Sequence, residues 1–474
     1  MSILDWRDPA RVRALLDAAR DEALRFIEEL PSRPVRASAS IDELRASLGV
    51  PLPEALADPV ETFESFIRSM DRGIVASAGP RYFGFVIGGS VPISLAADWM
   101  VSTWDQNPGL YATSPATSVA EETAARWVLD LLGLPPSSGV GFVTGCQMAN
   151  FTALAAARHA VLERAGWDVE QDGLQGAPKV HVVMGDEAHV TIHTALRYLG
   201  LGLRTARLVP CDDQGRMRPD ALERALADVD GPAIVCAQVG NVNTGAIDPV
   251  PEIAAIAHQH GAWLHLDGAF GLWAAASPAR RSLVDGIDRA DSWATDAHKW
   301  LNVPYDCGLV IVKDAAAHRA AMSVKASYLE QSAGAERDEL DWVPEFSRRG
   351  RSVPVYAALL ALGRTGVAEI IDRGCDMAAR IAGRLDREDG IRILNEVVLN
   401  QVLVRFGEDD EATREVVRRV QSDGTCWLAG TTWKEMAAMR ISVSNWSTDE
   451  EAIDRSADAI IRAAREVLAG TSVL

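Results

Sequence analysis

Between about residues 76 and 345 the chain repeats one pattern, a short apolar run followed by a stretch of helical periodicity. Val180-His181-Val182-Val183-Met184, Ala233-Ile234-Val235-Cys236-Ala237, Trp263-Leu264-His265-Leu266 and Leu309-Val310-Ile311-Val312 are such runs, with helical intervals such as Pro219–Ala227 and 250–258 between them. An apolar run that does not alternate with polar residues must be buried on both faces. Strands alternating with helices achieve this in a mostly parallel sheet covered on both sides. The expected class is therefore α/β, and such a sheet gathers its ligands at the carboxyl ends of its strands.

Two flanking regions read differently. Residues 1–75 are helical, broken by Pro31, Pro34, Pro51 and Pro53, with little core of their own. They are expected to form an arm that packs on something else. Residues 76–345 form the expected large domain, and 346–474, rich in long amphipathic helices, a smaller α+β domain. A chain of 474 residues that is 48% hydrophobic has material for such a division. The 66 acidic against 47 basic residues leave −19, which disfavours nucleic acid and anionic membrane surfaces as partners. Six scattered cysteines without a CxxC pair suggest neither a disulfide framework nor a zinc ribbon. The N-terminus lacks the pattern of a signal peptide, and no apolar run approaches roughly 20 residues. A cytoplasmic location is the resulting expectation.

The chemistry concentrates at four places. Asp296-Ala297-His298-Lys299-Trp300 encloses a lysine in apolar surroundings, where desolvation would ease loss of its proton and favour Schiff-base formation. Asp267 ends the run 263–266 and suits the ring nitrogen of a pyridine cofactor, or merely a strand-end cap. The turn Gly141-Phe142-Val143-Thr144-Gly145-Cys146-Gln147 opens a helix, which suits a phosphate or is an ordinary helix start. It matches neither dinucleotide nor nucleoside-triphosphate fingerprints. His189 follows a strand and either stacks on a cofactor or bonds locally. With His193 it has helical metal spacing, but no third ligand is near, so no metal is expected. Asn241 and Thr244 suit a ring hydroxyl or an ordinary turn.

Taken together, these segments resemble the group II pyridoxal-phosphate (PLP) dependent amino-acid decarboxylases, the family of the aromatic-L-amino-acid, histidine and glutamate enzymes. The resemblance runs from about residue 75 to 450. It implies the aspartate-aminotransferase-like fold (fold type I) and a homodimer with shared active sites. Under it Lys299 is the PLP anchor, His298 its phosphate-side neighbour, Asp267 the pyridine-nitrogen partner, and Ala269 and His189 the groups on the two ring faces. Gly145, Cys146 and Gln147 become the phosphate donors. Pro80-Arg81-Tyr82-Phe83-Gly84 and Thr113-Ser114-Pro115-Ala116 match segments lining the substrate side.

The implied reaction is α-decarboxylation of an L-amino acid to the amine and CO2. Tyr82, Phe83 and Trp104 favour an aromatic or apolar side chain, and Arg440 suits a substrate carboxylate or a structural ion pair. The family carries a mobile loop whose tyrosine protonates the intermediate, and plant relatives with phenylalanine there are aldehyde synthases. The stretch 329–346 contains no tyrosine, and Trp342 with Arg348-Arg349 aligns Glu339 at that position. Decarboxylation-coupled oxidative deamination, or another PLP lyase or aminotransferase reaction, is the alternative chemistry. A catalytically silent homologue and a nucleotide-binding domain are rivals of other classes.

Overall fold

The computed structural model describes residues 3–323 and 336–471. Its large sheet has seven strands: β1 (Gly139–Val143), β2 (His181–Gly185), β3 (Arg207–Val209), β4 (Ala233–Gln238), β5 (Trp263–Asp267), β6 (Ser292–Asp296) and β7 (Gly308–Val312). They lie in the order β1-β7-β6-β5-β4-β2-β3. Strands β3, β2, β4, β5 and β6 are mutually parallel, and β7 is antiparallel to both β6 and β1. β1 therefore points the same way as β6, so every strand except β7 ends at one edge.

The two-faced burial inferred from the apolar runs is visible residue by residue along β4. Ile234 and Cys236 enter the core on one face, while Val235 and Ala237 enter the core on the other. The helix Cys146–Arg164 crosses the first face over β5, β6 and β7. Its buried side is largely alanine (Ala149, Ala153, Ala156, Ala157), which lets the helix axis approach the strands closely. The helices Pro115–Leu132 and Val250–Gln259 cover the opposite face.

Strands β8 (Ile391–Ile393), β9 (Gln401–Phe406), β10 (Ala429–Trp433) and β11 (Met436–Ser442) form an antiparallel sheet in the order β10-β11-β9-β8. The helix Ser352–Leu385 joins the two bodies and breaks at Gly363, whose φ of 58° favours glycine. Val355 through Cys375 pack into the core of the large sheet, and Ala378 through Leu385 into that of the small one. The change of core thus falls well inside this helix, beyond residue 346. By length and composition it is apolar enough to cross a membrane. In this fold its apolar side is spent on the two cores. Residues 81–83 also belong with the small sheet, strapped between Trp427 and Ser442 by backbone bonds of 2.7–3.1 Å.

The N-terminal helices Pro9–Glu29, Ile41–Leu48 and Pro59–Asp71 contain no buried residue. Arg25 and Arg33 tie the first helix and its following turn to the third through Asp71, at 3.2 and 2.9 Å. Leu16, Leu24, Ile41 and Phe66 stay exposed, so the arm has no core within its own chain.

Candidate active site

The carboxyl edge of the large sheet collects the residues singled out from sequence. Asp267 ends β5, and Asp296 ends β6 three residues before Lys299. His189 caps the helix Val190–Tyr198 after β2, and Gly145 with Cys146 opens the long helix after β1. Among the described residues no group of three His, Cys, Asp or Glu side chains is arranged to hold a metal.

Asp267 is buried and held from three directions. Its Oδ1 accepts from the Ala269 N–H at 3.2 Å and the Cys146 thiol at 3.4 Å, and its Oδ2 accepts from Asn150 Nδ2 at 3.1 Å. Asn150, fully buried, also donates through Nδ2 to Thr191 Oγ1 at 3.1 Å. With both Nδ2 protons directed outward, its Oδ1 must be the acceptor from His265 Nε2, at 2.9 Å. His265 then accepts at Nδ1 from the Ser292 hydroxyl, 3.0 Å away, which itself accepts from Trp263 Nε1 at 2.9 Å. Burial lowers the His265 pKa to about 4, in keeping with a neutral ring.

The same logic reaches His189. Thr191 Oγ1 accepts from Asn150, so its proton is directed at His189 Nδ1, 2.8 Å away. His189 therefore carries its proton on Nε2. Burial pushes its pKa down, against the pull of Asp267, and keeps it neutral. One buried amide thus fixes both the Asp267 carboxylate and the tautomer of His189. Asn150 was not among the candidate residues. Its signal was present as an amide inside the alanine-rich apolar part of a helix, but the partners lie 41 to 117 residues away.

Lys299 departs from expectation. Its Nζ lies 2.9 Å from Asp296 Oδ2. Burial lowers its pKa, but Asp296, assisted by Cys146 and Asp267, outweighs burial and raises it above the ordinary lysine value. The enclosed lysine is an ion-paired ammonium, the opposite of the desolvated amine expected. His298 is buried, accepts from the Cys307 N–H at 3.2 Å and lies against Tyr305 with ring centroids 4.2 Å apart. Sequence reasoning also missed Gly88, where a Cβ would fall 1.7 Å from the Lys299 carbonyl oxygen.

The substrate-side candidates divide. Tyr82 is buried and stacks on Trp427, centroids 5.1 Å apart and planes 3° from parallel, with Phe85 tilted against the same indole. Phe83 points the other way, into the core of the small sheet, because successive residues of an extended segment face opposite sides. Trp104 is exposed at the end of the helix Pro92–Trp104. Asn241 spends its Oδ1 on the Asn243 and Thr244 N–H groups at 2.9 and 3.2 Å, the ordinary-turn alternative. Gln147 is exposed in the first helical turn.

Glu339 lies in a buried cluster away from this network. Its Oε1 is 2.5 Å from the Ser118 hydroxyl, beside the Arg348–Glu121 ion pair of 3.0 Å. Burial, then Glu121, raises its pKa to about 7. Residues 324–335, which take in the first part of the loop stretch and the adjoining Tyr328, lie outside the described residues. Arg440, on β11, carries a buried Nε without a hydrogen-bond partner among the described residues, and burial lowers its pKa. Its charge is felt at His189.

These residues fit pyridoxal phosphate: a lysine at a strand end, a fixed carboxylate on the neighbouring strand, a histidine and a small residue beside it, and a helix start without a side-chain cap. Comparisons with known proteins agree. The pyridoxal-dependent decarboxylase conserved domain matches residues 48–406. The aromatic-L-amino-acid decarboxylase of Bacillus atrophaeus is 27% identical over 456 residues, covering 93% of each chain. Human cysteine sulfinic acid decarboxylase is 29% identical over 401 residues, 82% of this chain and 80% of that one. The crystal structure of Oryza sativa TDC with PLP and tryptamine superposes with a TM-score of 0.90 at 25% identity, covering 97% of this chain and 99% of the other. The chain belongs to the pyridoxal-dependent decarboxylase family, is a PLP carboxy-lyase, and has that family's α/β fold.

Proposed function

We propose that the protein converts an L-amino acid with an aromatic or apolar side chain to its amine and CO2, with Lys299 as covalent anchor. The observation that carries this reading is the convergence of Lys299, Asp267 and His189 at one strand edge, with Arg440, whose buried Nε has no hydrogen-bond partner among the described residues, within electrostatic reach. When bound, pyridoxal phosphate supplies the electron sink for the pair left behind by departing CO2. Asp267, fixed by Asn150, Cys146 and Ala269, holds a proton at the pyridine nitrogen. His189 presents its Nε2 proton while Ala269 bounds the other side. Arg440 binds a substrate carboxylate, which gives its half-buried guanidinium, with an unbonded Nε, a counter-charge. The stacked Tyr82 and Trp427 favour a flat apolar side chain, as does the relative named for aromatic amino acids. The relative named for cysteine sulfinic acid stands against it.

With Glu339 committed to Ser118, Tyr328 is the candidate proton donor at the substrate carbon that separates simple decarboxylation from the oxidative route. The exposed apolar side of the N-terminal arm supports a homodimer.

The test is incubation with a panel of L-amino acids in air. Equal amounts of CO2 and amine support the proposal. Aldehyde with hydrogen peroxide supports oxidative deamination instead, and no CO2 from any substrate refutes both. Arg440→Met is expected to raise KM by about 100-fold, the ~3 kcal/mol of a charge-assisted contact, without altering cofactor content. Tyr328→Phe is expected to shift product from amine toward aldehyde.

A further inference from the structure

Asp296 occupies the position at which this site best binds an anion, yet the reading above gives it no task. Its Oδ1 accepts the Cys146 N–H at 2.6 Å, and its Oδ2 lies 2.9 Å from Lys299 Nζ. Cys146 is the first residue of a 19-residue helix whose cap, Gly145, offers no side chain. The free N–H groups and positive end of that helix are therefore served by a carboxylate reaching over from β6.

The carboxylate cannot withdraw with its backbone. Asp296 N–H donates to Ala269 O at 2.9 Å, and Asp296 pairs with Gly308 in the antiparallel β6–β7 ladder. The surroundings are tight as well. A Cβ on Gly145 would meet Asp296 Oδ1 at 3.5 Å and His298 Cε1 at 3.2 Å. At 2% exposure the carboxylate has little water to screen it. A phosphate arriving at the Cys146 turn would face this negative charge at short range in a poorly solvated place, where like charges repel strongly.

We propose that Asp296 is an internal counter-anion of the unloaded protein, which pairs with Lys299 and competes with the cofactor's phosphate for the helix start. The proposal rests on Lys299 as anchor and the Cys146 turn as phosphate cup. A carboxylate that served only as a helix cap would have the opposite effect when removed, since the cup would loosen and cofactor would bind more weakly. The sign of the change therefore separates the two roles.

The experiment compares wild type with the nearly isosteric Asp296→Asn, both stripped of cofactor. Equilibrium affinities for PLP and for pyridoxal, which lacks the phosphate, are read from quenching of tryptophan fluorescence. Thermal unfolding is followed with and without inorganic phosphate. Asp296→Asn is expected to bind PLP about tenfold more tightly or better, to leave pyridoxal within about twofold, and to melt at a lower temperature when unloaded. Inorganic phosphate should raise the melting temperature of the variant and not of wild type. Unchanged or weaker PLP binding overturns the proposal, as does an equal gain for pyridoxal. Asp296→Ser gives the same readout if the amide variant does not fold. Failure of the anchor assignment looks different: the visible absorbance of loaded wild type would survive Lys299→Ala.

Discussion

Replacing Asn150 with alanine tests the buried network most directly. The amide makes three bonds: one to the Asp267 carboxylate at 3.1 Å, one to Thr191 Oγ1 at 3.1 Å and one from His265 Nε2 at 2.9 Å. A bond to a charged acceptor contributes about 2 kcal/mol and a neutral one about 1 kcal/mol. For the third bond the cost is instead that of the His265 N–H, buried and left without an acceptor, roughly 1–3 kcal/mol. Asn150→Ala is therefore expected to destabilise the unloaded protein by about 4–6 kcal/mol, a large share of the roughly 5–15 kcal/mol typical of folded domains. Urea unfolding of Asn150→Ala, Thr191→Val and the double variant measures this. Because the Asn150–Thr191 bond disappears in either single variant, the double variant should lose at least about 0.5 kcal/mol less than the sum. Loss of His189 tautomer control should also lower kcat in Thr191→Val by about tenfold, the effect of ~1.4 kcal/mol, with cofactor still bound. A loss below about 1.5 kcal/mol in Asn150→Ala, or strict additivity, refutes the linked network.

Other consequences are equally concrete. Gly88→Ala forces a methyl group to 1.7 Å from the Lys299 carbonyl oxygen, so the backbone of the anchor must move. The visible band of bound cofactor should be lost, while Gly133→Ala, with open space around it, should retain it. His265, lowered to about 4 in the fold, binds no proton there while the unfolded chain does below about 6.5. Stability should thus fall by about 3 kcal/mol as pH drops from 6.5 to 4. His265→Gln should flatten the unfolding free energy against pH by that amount, and an unchanged slope sinks the assignment. Glu339 works in the opposite sense. Its raised folded-state value means the fold keeps a proton that the unfolded chain releases, so its contribution declines as pH rises from about 4.5 through 7. Glu339→Gln should stabilise the protein at pH 8 relative to its effect at pH 5, measured by urea midpoints.

The chain's own order of residues determined the class of fold and which polar side chains reach the carboxyl edge of the sheet. Unbroken apolar runs such as 233–237 can be buried only on two faces, and a polar residue that ends such a run is delivered to the carboxyl edge of the sheet. Asp267 and Lys299 were legible for that reason, and His189 because it follows a strand by a short turn. Packing decided the rest. Asn150 meets His265 and Asp267 only because an alanine-rich helix lies across β5, and Asp296 meets Cys146 only because β6 and β1 flank β7 and end side by side. Residue type could not tell which of Tyr82 and Phe83 stacks on Trp427 and which enters the core of the small sheet, since one residue of register reverses both. Nor could it foresee an ion-paired Lys299: local sequence predicts how deeply a charge is buried, but the charge it finds there comes from side-chain geometry in the folded chain.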